Sequence, residues 1–314
     1  MKFDVVTVGT TVADVIVHTV DELPPKGTLE YKESISLHSG GNAMSSAIDL
    51  SKLGAKSAII AKIGMDSFGN FLKSELEKYS VDITGLKSSG YPTSASVALI
   101  SSDTERTFLH IPGANAHFDD TDVDWDIVAG SRIVFVSGFM IMPTFDGEPT
   151  ARVLKKAREM GKFTALDVSW DSENLWMEKL APCMRHIDYF MPSIEEAEKL
   201  SGLSSESGLD KIADVFFDMG VKHVVIKLGK DGCYLRESKA GEGKCFPAHK
   251  VKAVDTTGAG DSFCAGFLFG VSRGYDLAES CKIGNAVGAH CVMSTGATAG
   301  IPPFEHIREF MDSV

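Results

Sequence analysis

Six short runs along this chain are apolar nearly throughout: Val5–Val8, Ala58–Ile63, Ile133–Val136, Phe163–Leu166, Tyr189–Met191 and Val224–Leu228. A strand with one solvated face alternates polar and apolar residues. A run apolar on both sides fits a parallel strand covered by a layer on each face. Between these runs lie stretches with helical spacing. One carries Phe68, Phe71, Leu72, Leu76 and Tyr79, and another carries Leu209, Ile212, Ala213, Phe216 and Phe217, with Gly220 closing the second. Such alternation predicts an α/β layer fold around a mostly parallel sheet. The chain has 314 residues, 44% of them hydrophobic, which is ample for a large core.

Two stretches break the alternation. Val15–Leu37 and Ser94–Ile111 hold β-branched or alternating runs with no helix between them, and Asp103-Thr104 reads as a hairpin tip. They predict a small projecting sheet, a lid built from segments of about 12–38 and 93–112, which either covers a site or contacts a second subunit. No linker, repeat or low-complexity tract separates the parts, so residues 1–314 read as one folding unit. Net charge is −12 with no basic block, which disfavours nucleic acid and anionic membrane as partners and favours a small ligand. The first residues lack the features of a signal peptide, and no run reaches membrane-spanning length. Six scattered cysteines without Cys-x-x-Cys spacing fit free thiols in the cytoplasm, and the nine histidines form no ligand cluster.

Chemistry concentrates in Ala253-Val-Asp-Thr-Thr-Gly-Ala-Gly-Asp-Ser-Phe-Cys-Ala-Gly-Phe267. Gly258 and Gly260 permit a tight backbone path just before a helical run, and successive amides at a helix start favour an anion. A carboxylate there, Asp261, suits a general base that takes a proton from an attacking hydroxyl. Read alone, such an acid is more often a helix cap after a glycine turn than a base. A dinucleotide-binding reading is weak, because Phe263 stands where the third glycine belongs. Neither a Gly-x-x-x-x-Gly-Lys-Ser/Thr loop nor a protein-kinase His-Arg-Asp loop is present.

Asp255–Phe267 resembles the C-terminal signature of the ribokinase-like (PfkB) carbohydrate kinases. Gly40-Gly-Asn-Ala-Met-Ser-Ser-Ala47 resembles that family's N-terminal signature, and the likeness runs from Val5 to about Pro302. The resemblance implies a three-layer α/β/α fold with a mostly parallel sheet and a small β-sheet lid. It also implies transfer of the ATP γ-phosphoryl group to a sugar hydroxymethyl, with magnesium. In that reading Asp261 is the base, and Gly258, Ala259 and Gly260 form the anion-binding turn. Asp14, Gly40, Gly41, Asn42, Arg106 and Asn115 would face the substrate. Lys227, Gly229, Gly232 and Asn285 would border the nucleotide.

The family's Asn-x-x-Glu element reads Ser193-Ile-Glu-Glu196 here, so Glu196 is expected to touch magnesium through water while Ser193 serves as a cap. Asp255 and Thr257 match a monovalent-cation site, with backbone around Cys291, Ser294, Gly296 and Gly300. Gly300 lacks a side-chain oxygen found in some members, which leaves potassium optional. Acid-sugar kinases of the family often carry an arginine near the strand after Phe163. Ser169, Trp170 and Asp171 offer no cation there, which favours a neutral monosaccharide such as ribose or fructose. A nucleoside kinase of the same fold and a catalytically silent sugar- or nucleotide-binding protein are the alternatives. A homodimer through the lid would cover its strand edges.

Overall fold

The computed structural model describes residues 1–103 and 105–313; Thr104, half of the expected hairpin tip, lies outside them. In chain order the strands are β1 (Phe3–Gly9), β2 (Val12–His18), β3 (Ser34–Gly40), β4 (Ser57–Gly64), β5 (Asp82–Ser89), β6 (Ala95–Ile100), β7 (Arg106–Ile111), β8 (Ser131–Phe139), β9 (Phe163–Val168), β10 (Tyr189–Phe190), β11 (His223–Lys227), β12 (Cys233–Arg236) and β13 (Lys244–Phe246). The helices are α1 (Asn42–Lys52), α2 (Ser67–Lys78), α3 (Trp125–Gly130), α4 (Glu148–Glu159), α5 (Met177–Met184), α6 (Ile194–Ser201), α7 (Leu209–Asp218), α8 (Ala259–Arg273), α9 (Leu277–Val292) and α10 (Phe304–Asp312).

Nine strands form the main sheet in the order β13-β12-β11-β10-β9-β8-β1-β4-β5, parallel from β11 through β5 and antiparallel at β12 and β13. All six apolar runs lie in it. The pleat explains their composition. On β8, Val134 and Val136 join the core under α3, α4, α5, α6 and α7, while Ile133 and Phe135 face the core under α8, α9 and α10. Edge strand β5 was not anticipated, because Asp82-Ile-Thr-Gly-Leu-Lys-Ser-Ser pairs only with β4 and keeps polar residues toward solvent. Helix α2 begins where the Asp66 carboxylate accepts from Gly69 N at 2.8 Å.

The two pattern-breaking stretches form a separate sheet in the order β3-β2-β6-β7, with β2 and β6 parallel and the other pairs antiparallel. Its register sets His38, Asp14, Ser96 and His110 in one row across all four strands. The opposite face exposes Ile35, Leu37, Leu109 and Ile111. All six cysteines are unpaired. Among the described residues, no helix is long and apolar enough to cross a membrane.

Candidate active site

Connections leave the parallel sheet in opposite directions from β1, which lies between β4 and β8. In a parallel α/β sheet the crevice beyond the carboxyl ends of such strands is where ligands bind. Here it collects Asn42 at the start of α1, Asp167 near the end of β9, Lys227 at the end of β11 and Asp261 in the first turn of α8. Gly258 caps α8 at φ 78° in the left-handed region, and a Cβ there would lie 2.6 Å from that of Ala297. Only glycine fits on both counts. The amides of Gly260 and Asp261 find no acceptor among the described residues, so they remain available to an anion.

Asn42 is the hub. Its Nδ2 donates to Asp261 Oδ1 at 3.0 Å, and its Oδ1 accepts from Thr10 Oγ1 and Ser169 Oγ, both at 3.4 Å. Ser46 Oγ donates to the Asp261 carbonyl at 3.3 Å, which binds α1 to α8. Burial, with the Asp167 charge adding to it, pushes the Asp261 carboxyl up to about 7; Asn42 and Lys227 oppose the rise. An acid so placed exchanges its proton near neutral pH, as a general base requires.

Lys227 Nζ lies 2.6 Å from Asp167 Oδ1 and 3.4 Å from where a Cβ on Gly260 would stand. A fixed ammonium thus reaches the turn that opens α8. Burial opposes its charge, but Asp167, Cys264 and Glu196 together hold its pKa above the ordinary lysine value. Asp167 is a site residue that no motif in the sequence singles out. The available signal was its place just beyond a nearly apolar strand run, where an acid of a parallel sheet faces the crevice. Glu196 forms the expected capping box: its Oε2 accepts from Ser193 N at 2.7 Å, and Glu196 N donates to Ser193 Oγ at 3.3 Å. Burial also raises the Glu196 carboxyl, with Lys227 opposing.

Asp14 lies over Gly40, where a Cβ would sit 2.0 Å from its Oδ2, so a side chain at that point of the N-terminal signature would displace the carboxylate. Burial raises the Asp14 carboxyl, opposed by Ser96 and by the flanking His110 and His38. Ser96 Oγ lies 3.0 Å from His110 Nδ1, and Ser36 Oγ lies 2.8 Å from His38 Nε2, which fixes both rings beside the acid. Gly41 precedes α1 as its cap residue.

Other expected site residues are engaged within the protein. Asn115 is buried and exchanges two bonds with the backbone of Thr11, at 3.0 and 3.3 Å. Asn285 Nδ2 donates to Phe246 O at 2.9 Å and Pro247 O at 3.1 Å, pinning the chain after β13 to α9. Gly229 and Gly232 flank a tight turn between β11 and β12. Arg106 reaches Asp255 and Thr257 instead of standing free above the cleft. Trp170 is 55% exposed and stands edge-on to Trp176, so it is a surface residue and not part of the core.

Beneath the site, Asp49 is fully buried; its Oδ2 accepts from Ser262 Oγ at 2.6 Å, while Oδ1 has no partner among the described residues. Burial lifts its carboxyl to about 8. The folded chain therefore keeps this proton until about pH 8, whereas the unfolded chain releases it near pH 4. Its contribution to stability is full below about pH 4 and falls as pH rises through 8, by about 1.4 kcal/mol per pH unit between those values. Asp49→Asn should flatten the decline of Tm between about pH 6 and 8; an unaltered Tm profile would remove Asp49 as its source.

The family model for "pfkB family carbohydrate kinase" matches residues 2–303. The chain is 29% identical to a 5-dehydro-2-deoxygluconokinase of Clostridium perfringens, over 99% of its own length and 93% of that protein. It is 27% identical to a 2-dehydro-3-deoxygluconokinase of Bacillus subtilis, over 100% and 97%. Among solved structures, Arabidopsis thaliana ribokinase complexed with ribose and ATP superposes with a TM-score of 0.87 at 24% identity, covering 99% of each chain. That last likeness concerns the fold.

Proposed function

Because this chain belongs to the pfkB family of carbohydrate kinases, we propose that it moves the γ-phosphoryl group of ATP onto a hydroxymethyl group of a deoxy keto sugar acid. The observation that carries the chemistry is Asp261, held near neutral pKa at 3.0 Å from Asn42, directly on a turn with two free amides and the Lys227 ammonium. The substrate hydroxyl gives its proton to Asp261 as its oxygen attacks phosphorus, and the bond to the leaving ADP oxygen breaks in line. The amides of Gly260 and Asp261, with Lys227, meet the charge on the transferring group. Asn42 keeps the base oriented, Asp14 and the Gly40-Gly41 backbone orient the sugar, and the lid excludes water.

Glu196 fits magnesium held through water: one oxygen is committed to the Ser193 amide, and magnesium keeps several of its waters. Bound there, it would neutralise phosphate charge. On the nucleotide side, Gly229, Gly232 and the segment pinned by Asn285 form the wall beside Lys227.

The substrate class rests on two supports. Both deoxygluconokinases align along nearly their whole length, which favours a modified sugar over ribose or fructose. The expectation of a neutral sugar came from the missing cation at 169–171, and the lid row places two imidazoles beside Asp14 that can receive a carboxylate from the other side. ADP release should be measured with both deoxy keto gluconates, ribose, fructose, fructose 6-phosphate and adenosine. A sugar acid should lead by at least tenfold in kcat/KM, and His110→Ala should raise its KM about tenfold with kcat held, the mark of lost uniform binding. Preference for ribose, fructose or adenosine overturns the substrate class. Sugar binding without ADP release would instead make the chain a sensor. The exposed apolar lid face, with Ile35 and Leu109, is where we would seat a second copy; a monomer in sedimentation excludes it.

A further inference from the structure

The resemblance implied a monovalent cation at Asp255 and Thr257, and the residues present do not fit one. Asp255 Oδ1 accepts from Arg106 NH2 at 2.6 Å and from Thr257 N at 2.9 Å, and Oδ2 accepts from Gly296 N at 3.0 Å. The second guanidinium nitrogen of Arg106 donates to Thr257 Oγ1. A planar, permanently charged fork thus answers the carboxylate directly.

Three nearby carbonyls also face protein donors. Cys291 Sγ lies 3.3 Å from Thr257 O and 3.2 Å from Ala297 O, and burial lifts that thiol to about 12, so it stays a donor. Lys52 Nζ donates to Thr298 O at 2.6 Å. Position 300 has no room to regain an oxygen, because a Cβ there would lie 2.4 Å from His290 O. A hard cation needs a shell of oxygens whose lone pairs point inward, and here Arg106 and the amides of Thr257 and Gly296 already take those of the Asp255 carboxylate.

We propose that Arg106 supplies from the lid the positive charge of the Asp255 site, so that this kinase works without a potassium ion and its anion-binding turn is set by the position of the lid. Arg106 lies on β7 and Asp255 lies three residues before Gly258, so the ion pair joins lid to turn across 149 positions. Opening the lid removes the counter-charge of Asp255; closing it restores that charge as the sugar is covered. Arg106 acts here as a positioning residue for the loop that leads into α8.

Melting curves of the free enzyme in potassium chloride and in tetramethylammonium chloride at equal ionic strength test this. They need no sugar, so they fail or succeed apart from the substrate assignment. Wild type should melt at the same temperature in both salts, and its turnover should change less than about twofold. Arg106→Ala should gain a potassium-specific rise in Tm of several degrees, on the order expected for a ligand well above its Kd. Should that variant fail to fold, Arg106→Gln carries the same comparison. Potassium-specific stabilisation or activation of wild type overturns the proposal. So does a folded Arg106 variant that melts identically in both salts and keeps wild-type turnover.

Discussion

Asp261→Asn is expected to lower kcat by about 10²–10⁴-fold, the range in which a positioned general base contributes, while the protein melts no lower than wild type. Asparagine preserves the volume and still offers Asn42 an oxygen, so the hydrogen bond at 3.0 Å can persist. What disappears is proton acceptance. In wild type, activity requires the ionised acid, so kcat/KM should fall as pH drops below about 7, where the Asp261 carboxyl takes up its proton. The variant's residual activity should lack that limb. Stability runs the other way. The Asp261 carboxyl is raised on folding, so its contribution is full below about pH 4 and lost as pH rises through about 7. Above pH 7 the asparagine variant escapes that loss, and its Tm should equal or exceed that of wild type. A folded Asp261→Asn enzyme with near-wild-type kcat would falsify the assignment.

Asp261 was legible in the sequence because the turn before it makes a demand that only glycine meets, written as Gly258, whereas a Cβ on Gly260 would stand an ordinary 3.4 Å from Lys227 Nζ. The six buried strands were legible for a similar reason: a strand covered on both faces admits few polar residues. Edge strand β5 has such alternatives, and its polar residues hid it. Asp167 was harder still. An acid after a strand is a common turn residue, and its meaning comes from Lys227, 60 positions away and two strands across the sheet. Arg106 shows the same limit. Its place in the small sheet was readable, but its partner, Asp255, is fixed only when that sheet packs against the turn. Asn115 could be placed near the cleft from sequence, yet the direction of its amide depends on Thr11 coming within 3.0 Å.

Lys227→Met should destabilise the protein by about 3–5 kcal/mol, the usual cost of removing one partner of a buried ion pair. Asp167 is 2% exposed and would lose the ammonium 2.6 Å away. The same change should lower kcat, because Lys227 is also the cation beside Gly260. It should shift the acidic limb of the pH profile upward too, since Lys227 now opposes the rise in the Asp261 carboxyl. Structural and chemical roles separate in the double variant. Asp167→Asn with Lys227→Met removes both charges, so much of the lost Tm should return, while turnover stays low because no ammonium meets the phosphoryl group. Recovery of both Tm and kcat would mean that Lys227 serves only to neutralise Asp167. A single variant as stable as wild type would mean that water, not Lys227, compensates the Asp167 charge. The decisive quantity is therefore the difference between the two recoveries. It measures how much of this buried charge is spent on holding β9 and β11 together and how much remains for the anion at α8.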